Sequence, residues 1–385
     1  MILGDSVAGL CSFAMALLLY FERLEVWHVC ILIAIAAVAG VLQTLAFTAS
    51  VPLLIPTEQL SRASGIMELG PAVARIVAPL LAGALLAWTS IYWVLVVDFG
   101  SFLFAVSTTL AIRLPRPETT AEGQAGKGSL WSEVAAGWAY IKARPGLVWL
   151  LIFFAAINFN ISMSDVILLP MWLGIASVQV VGTLAAITSL GMLAGSIVLS
   201  VWGGPRRRIH GVLGFTLLLG VSLILMGMWP SVVVLSIAGF TLLFAVPFIF
   251  GCNQTIWLSK TPPDMQGRVS SMRAMIGWSI SPLAYLIAGP LADKVFEPLL
   301  AAKGPLAGSV GKIIGVGSGR GIGLMVIGLG ILTLIAAVAG YMNSRLWNVE
   351  DELEDAMPET VVEERVESVI ADETAAAFQL ETQKT

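Results

Sequence analysis

The sequence predicts an all-helical, polytopic membrane protein of about ten transmembrane helices, and three observations carry that expectation. Of its 385 residues, 57% are hydrophobic and 12% charged, with a mean hydropathy of +0.90, which leaves too little polar surface to coat a globule in water. Apolar runs of 18 or more residues recur along the chain. Each is long enough to cross a hydrocarbon core of about 30 Å at about 1.5 Å per residue. Finally, Lys and Arg concentrate in alternate connections between the runs, the pattern by which positive charge on the cytoplasmic side sets topology.

In chain order the expected spans are 4–21, 27–51, 67–88, 91–112, 146–170, 177–202, 209–229, 231–257, 271–291 and 320–343. One set of connections holds thirteen bases: Arg62, then Arg113, Arg116, Lys127, Lys142 and Arg144, then Arg206, Arg207 and Arg208, then Lys260, Arg268 and Arg273, and finally Arg345. The opposite set holds five: Arg23, Lys294, Lys303, Lys312 and Arg320. This places both termini in the cytoplasm, for a multi-pass protein of the inner (plasma) membrane. Four of those five lie in or at the edge of the connection 292–319, whose glycines and apolar residues suggest a flexible or interfacial outer loop. Within the linker 113–145, Trp131, Val134, Ala135, Trp138 and Ile141 recur at helical spacing beside Glu133 and Lys142, as in an amphipathic helix on the membrane face.

The net charge of −4 is concentrated at one end: twelve of the 25 acids lie between Glu350 and Thr385, against two bases there. Residues 346–385 therefore read as a solvated, disordered tail. Cys11, Cys30 and Cys252 all fall in apolar spans and read as small hydrophobes rather than disulfides or metal ligands. Met1 to Asp5 has neither a cationic region nor a small-residue cleavage site, so no removed signal peptide is expected. Trp88, Trp93, Trp229 and Trp257 fall at span ends, where a membrane-interface belt is expected.

An internal repeat organises the chain. Pro56, Glu58, Arg62 and Ser64 have counterparts 206 positions later in Pro262, Asp264, Arg268 and Ser270, and spans one to four repeat as seven to ten in the same orientation. Such parallel halves are related by an axis along the membrane normal. The fifth and sixth spans have no counterpart upstream, so two helices are expected to precede Met1. The resulting division is an incomplete N-terminal half at 1–112, a linker at 113–145, a six-helix half at 146–345 and the tail.

On these residues the chain resembles the major facilitator superfamily, in its branch of macrolide-efflux-like and siderophore-exporter-like permeases. The glycine- and arginine-rich loop of that family is matched by Gly203, Gly204, Pro205, Arg206, Arg207 and Arg208. Its Pro, acid and Arg turn is matched by Pro56, Glu58 and Arg62 and again by Pro262, Asp264 and Arg268. An exporter motif of small residues and proline is resembled by Gly70, Ala74, Ala78, Pro79, Ala82 and Gly83, with Ala in place of several family glycines, and is echoed by Gly277, Ser281 and Pro282. The resemblance implies a major facilitator fold, export by alternating access, and a cytoplasmic gate at Arg62, Arg206, Arg207, Arg208, Asp264 and Arg268.

No residue constellation speaks for an enzyme: the two histidines, His28 and His210, lie near expected helix ends, and nucleotide loops, paired-cysteine motifs and nucleophile elbows are lacking. Transport then draws on an ion gradient, for which ionisable groups inside the membrane are the first candidates. Glu68 and Arg75 lie seven residues apart on nearly one helix face. Arg75 could hold an anionic group of the cargo or a coupling carboxylate, or form a fixed bridge to a neighbouring helix; Glu68 could gate or snorkel. Asp98 and Asp165 could carry a proton or pair helices. Asn158 and Asn160 could bond a cargo or a neighbouring helix. Gln43, Asn253 and Gln254 share that ambiguity, while Gly191 and Gly195 read as close helix packing.

The expected function is thus proton-driven efflux of a small amphipathic, drug- or macrolide-like compound. The alternatives are a siderophore or lysolipid exporter, or an accessory fragment. Membrane lipids, a small-molecule substrate and a proton gradient are the expected partners, for a monomer with no cofactor, metal or nucleic acid.

Overall fold

Helices are the only way an open chain satisfies its backbone in lipid, and in a computed structural model every long element is one. The structure describes residues 2–53, 55, 59–88, 91–111, 130–301 and 304–353. The long helices are α1 (Ile2–Tyr20), α2 (Val26–Ser50), α3 (Leu60–Trp88), α4 (Ile91–Ala111), α5 (Leu130–Lys142), α6 (Pro145–Ile175), α7 (Val178–Trp202), α8 (Arg208–Met228), α9 (Val232–Lys260), α10 (Gln266–Leu291) and α11 (Arg320–Met342). The fold is all-α, with no strand among the described residues.

Apart from α5, these helices lie where the ten spans were expected. Among the described residues seven helices are long and apolar enough to cross a membrane: α2, α6, α7, α8, α9, α11, and α10 with its continuation to Leu299. Within α1 and α4 the stretches Gly4–Tyr20 and Val97–Thr108 are apolar helix as well. α3 carries three charged residues, Arg62, Glu68 and Arg75.

Local chemistry sets the ends. Pro145 opens α6 at its first turn, where a missing N–H costs nothing. Gly203 closes α7 in the left-handed conformation, φ +81°. The Glu25 N–H donates to His28 Nδ1 at 3.2 Å at the start of α2.

One group packs α1 against α2 and α4; the other joins α6 to α11 around a continuous apolar core that includes Leu150, Ile157, Leu213, Phe248 and Val326. α3 bridges them, packing most heavily on α7 and also on α9, while α2 touches α10. Gly65 permits the α3–α7 approach: a Cβ there would sit 2.6 Å from the Ser200 backbone nitrogen. Gly191 and Gly195 do the same for α7 against α9, where a Cβ would meet the Phe240 and Phe244 carbonyl oxygens at 2.1 and 2.4 Å.

Several expectations are corrected. α3 begins at Leu60 rather than 67 and α10 at Gln266 rather than 271, because the polar first turns are buried: Ser61, Ser64, Gln266 and Ser270 are all 4% exposed or less. α5 docks on protein: Ile141 is fully buried, a Cβ on Gly137 would lie 2.8 Å from the Arg268 carbonyl oxygen, and the Tyr140 hydroxyl donates to the Lys260 carbonyl at 2.6 Å. The described part of 292–319 is an ordered cap, with Leu300 fully buried and the Gly317 N–H donating to its carbonyl at 3.0 Å. Trp257 is no interface belt residue; it is buried, and its Nε1 donates to Asn253 Oδ1 at 3.2 Å. Cys30 is exposed, whereas Cys11 and Cys252 are buried.

The start of the acidic tail is also folded. Val349 is fully buried, against Gly146 at the start of α6. Glu350 accepts from the Arg208 N–H at 3.0 Å and the Ile209 N–H at 2.8 Å, capping α8. Lys260 Nζ donates to the carbonyls of Glu350 at 2.7 Å and Leu353 at 2.5 Å. The rest of the tail, with Pro56, Glu58, Arg113, Arg116 and Lys127, lies outside the described residues.

Candidate functional site

Two polar cavities lie along α3. The first, about 280 Å³, is closed by Thr44 and Thr48 of α2, Ser64, Met67, Glu68 and Pro71 of α3, Phe154 of α6, Phe250, Asn253 and Gln254 of α9, and Ser270, Arg273 and Trp278 of α10. Both groups of helices contribute to it. The repeat is visible in its walls: Ser64 faces the cavity with its counterpart Ser270, and Met67 with its counterpart Arg273. The Ser64 and Thr255 hydroxyls lie 3.3 Å apart across the α3–α9 seam.

Arg273 belongs to this site, although its place in the sequence suggested a basic connection. It lies two turns inside α10, its guanidinium 5.5 Å from the centroid of the Trp257 ring, and its Nη2 donates to Gln254 Oε1. Its Nη1 and the Gln254 Nε2 are buried without a partner among the described residues. Glu68 lines the cavity from α3 and forms no ion pair among the described residues.

The second cavity, about 250 Å³, lies towards the other end of α3. Arg75 enters it with Ser164, Asp165 and Trp172 of α6, Thr188 and Ser189 of α7, Leu219 and Leu223 of α8, and Leu242 and Val246 of α9. Arg75 and Asp165 are the two ionisable side chains of this cavity. A larger hollow of about 600 Å³ between α1 and α2 is lined by Val7, Ile35, Val38 and Leu42 with Gln43 as its only polar side chain, and it has the chemistry of a lipid-facing groove.

The other expected residues fall elsewhere. Asp98 lines neither polar cavity; its Oδ2 accepts from the Ser12 hydroxyl at 2.5 Å, tying α4 to α1. Asn158 is 2% exposed with Nδ2 unpartnered among the described residues, facing Gly277 of α10. Asn160 turns its Nδ2 back to the Ala156 carbonyl at 3.0 Å. Nearby, the Ser162 hydroxyl donates to the Ser281 hydroxyl at 2.8 Å, joining α6 to α10. In the exporter-like stretch Gly70, Ala74 and Ala78 lie exposed on one side of α3, while Ala72 is the buried residue; Pro79 and Gly83 continue the helix.

The expected gate residues gather at one end of the bundle. The Arg62 alkyl chain lies over Gly203, where a Cβ would meet its Cγ at 3.1 Å. Arg208 Nη1 donates to the Gly203 and Pro205 carbonyls at 3.0 and 2.6 Å, Arg207 pairs with Asp351 at 2.8 Å, and Arg206 is exposed. Arg268 reaches Glu133 of α5 at 3.7 Å. Asp264 sits in the turn before α10, which Gln266 holds by donating to the Leu258 and Thr261 carbonyls at 3.0 and 2.6 Å.

The model of the Major Facilitator Superfamily matches residues 6–285, well over half of the chain. The chain belongs to that superfamily. Members are membrane transporters, and no enzymatic chemistry is attached to this fold. Relatives include Macrolide efflux protein A of Streptococcus pyogenes, 25% identical over 311 residues that span 77% of this chain and 73% of that protein. Macrolide efflux protein A of Enterococcus faecalis is 25% identical over 292 residues, 72% and 86% of the two chains. Among solved structures, the crystal structure of the human organic anion transporter MFSD10 (TETRAN) aligns with a TM-score of 0.61 at 17% identity, covering 88% of this chain and 76% of that one, a likeness of fold.

Proposed function

We propose that the chain is a secondary active exporter of a small amphipathic, drug- or macrolide-like compound, driven by a proton gradient and working by alternating access. The observation that carries this reading is the placement of Glu68 and Arg75 in two separate polar cavities on one helix that bridges both groups of helices. A path through the protein needs polar stations that are each reached from one side, and rocking of the two halves about α3 would expose them in turn. Glu68 and Asp165 are the carboxylates placed to exchange a proton for cargo; Asp98, bonded to Ser12, is assigned to holding α1 and α4 together. In this reading the protein is a monomer in the plasma membrane, with both termini on the cytoplasmic side.

The test is accumulation of a radiolabelled macrolide in cells lacking their own efflux pumps. Expression lowers accumulation, and a protonophore restores it. Unchanged accumulation across macrolides, siderophores and lysolipids at verified membrane abundance would defeat the reading.

A further inference from the structure

The first cavity has a chemical preference. Arg273 brings a guanidinium into a space lined also by aromatic side chains, hydroxyls and Glu68, and no carboxylate forms an ion pair with it among the described residues. A buried cation without a counter-charge is costly, and a buried donor without an acceptor adds to that cost. Here Arg273 Nη1 and Gln254 Nε2 are both orphaned donors, and the Arg273 Nη2 bond to Gln254 Oε1 holds the two groups side by side. Because Gln254 spends its acceptor on Arg273, it presents its amide nitrogen. The pair therefore offers unsatisfied N–H donors with net positive charge, the complement of an oxyanion. Phe154, Phe250 and Trp278 supply apolar surface in the same cavity.

We infer that this cavity binds an aromatic or amphipathic compound through a carboxylate- or phosphate-type oxygen held by Arg273 and Gln254. The inference rests on the transporter reading only for calling that compound cargo; binding itself does not require it.

The test uses the full chain in nanodiscs of phosphatidylcholine, with three probes that share one ring system: naphthalene-2-carboxylate, naphthalene-2-carboxamide and naphthalen-2-ylmethylammonium. The carboxylate is expected to bind about tenfold or more tightly than the other two, the scale of one charge-assisted bond. Arg273→Gln is expected to erase that preference. Gln254→Glu is the variant that separates binding from folding, because it gives Arg273 an internal counter-charge. It should abolish carboxylate binding while the melting temperature stays or rises. Adding phosphatidylglycerol distinguishes the source of the oxyanion: competition with the probe supports the site and names a lipid phosphate as an occupant, and its absence supports a soluble compound. Equal binding of carboxylate and ammonium, or carboxylate binding that survives Gln254→Glu, would overturn the inference. An inactive exporter that still binds the carboxylate would defeat the transport reading alone.

Discussion

Glu68 and Arg75, two turns apart on α3, line different cavities, the acid in that of Arg273 and Gln254 and the base in that of Asp165. On one helix face at about 1.5 Å per residue they are separated by about 10 Å along the axis. Each charge thus shares its cavity with residues of the second group of helices. Any movement of α3 relative to α6, α9 and α10 changes both environments together.

Arg75→Ala and Asp165→Asn should each reduce efflux by about tenfold or more, the scale of losing a charge-assisted contact. Arg75 is exposed, so its loss should change stability by no more than about 0.5 kcal/mol. Initial efflux rates normalised to membrane abundance decide the matter, and wild-type rates in both variants would remove the second cavity from the path.

Ser12→Ala and Asp98→Asn should behave alike. Both weaken the α1–α4 hydrogen bond and should lower stability by about 1 kcal/mol, leaving the transport rate per molecule unchanged. Thermal unfolding of the purified variants, set against efflux per molecule, separates this tether from a proton carrier. Asp98→Asn inactive at normal stability would restore Asp98 to the mechanism.

Glu350→Ala removes a carboxylate that accepts two N–H groups at the start of α8. Loss of such a cap costs about 1–2 kcal/mol, and the negative charge near a helix N-terminus is lost with it. Glu350→Gln, which keeps an acceptor oxygen, should lose less. Melting curves of the three proteins provide the ranking, and an unshifted alanine variant would mean that the capping seen here contributes nothing in solution.

Gly65→Ala should wedge α3 from α7, because the added methyl meets the Ser200 backbone and not a side chain that can turn away. A cysteine at Ser270, in the first cavity, introduced into a chain free of Cys11, Cys30 and Cys252, should then react severalfold faster with a water-soluble thiol reagent. Equal rates with and without the alanine would show that this contact does not govern access.

The membrane class, the places of the long helices and the repeat were legible because apolar run length and a fixed shift survive without knowledge of packing. Arg273 was not: it sits within the first turns of a helix beside Arg268, so its charge reads as part of a connection until the burial of Gln266 and Ser270 shows that the helix begins earlier. Asp98 was legible as a carboxylate in a span, but its partner Ser12 is 86 residues away and gives no local signal. The folded start of the tail was hidden for a different reason. Glu350 and Asp351 look like solvated acids in a run of acids, and only the approach of α8 and Lys260 turns one into a cap and the other into a partner of Arg207. Gly70, Ala74 and Ala78 mark a spacing suited to close packing, yet the closely packed glycine of α3 is Gly65.

The meeting of Gly65 with the Ser200 backbone bears on leakage. Where main chain presses on main chain there is no rotamer to swing aside and no room for a file of water between the two helices. Ions in solution weaken seals made of opposite charges but leave a steric one untouched. A contact of this kind is equally tight in dilute and in concentrated media, and it releases only when a whole helix moves.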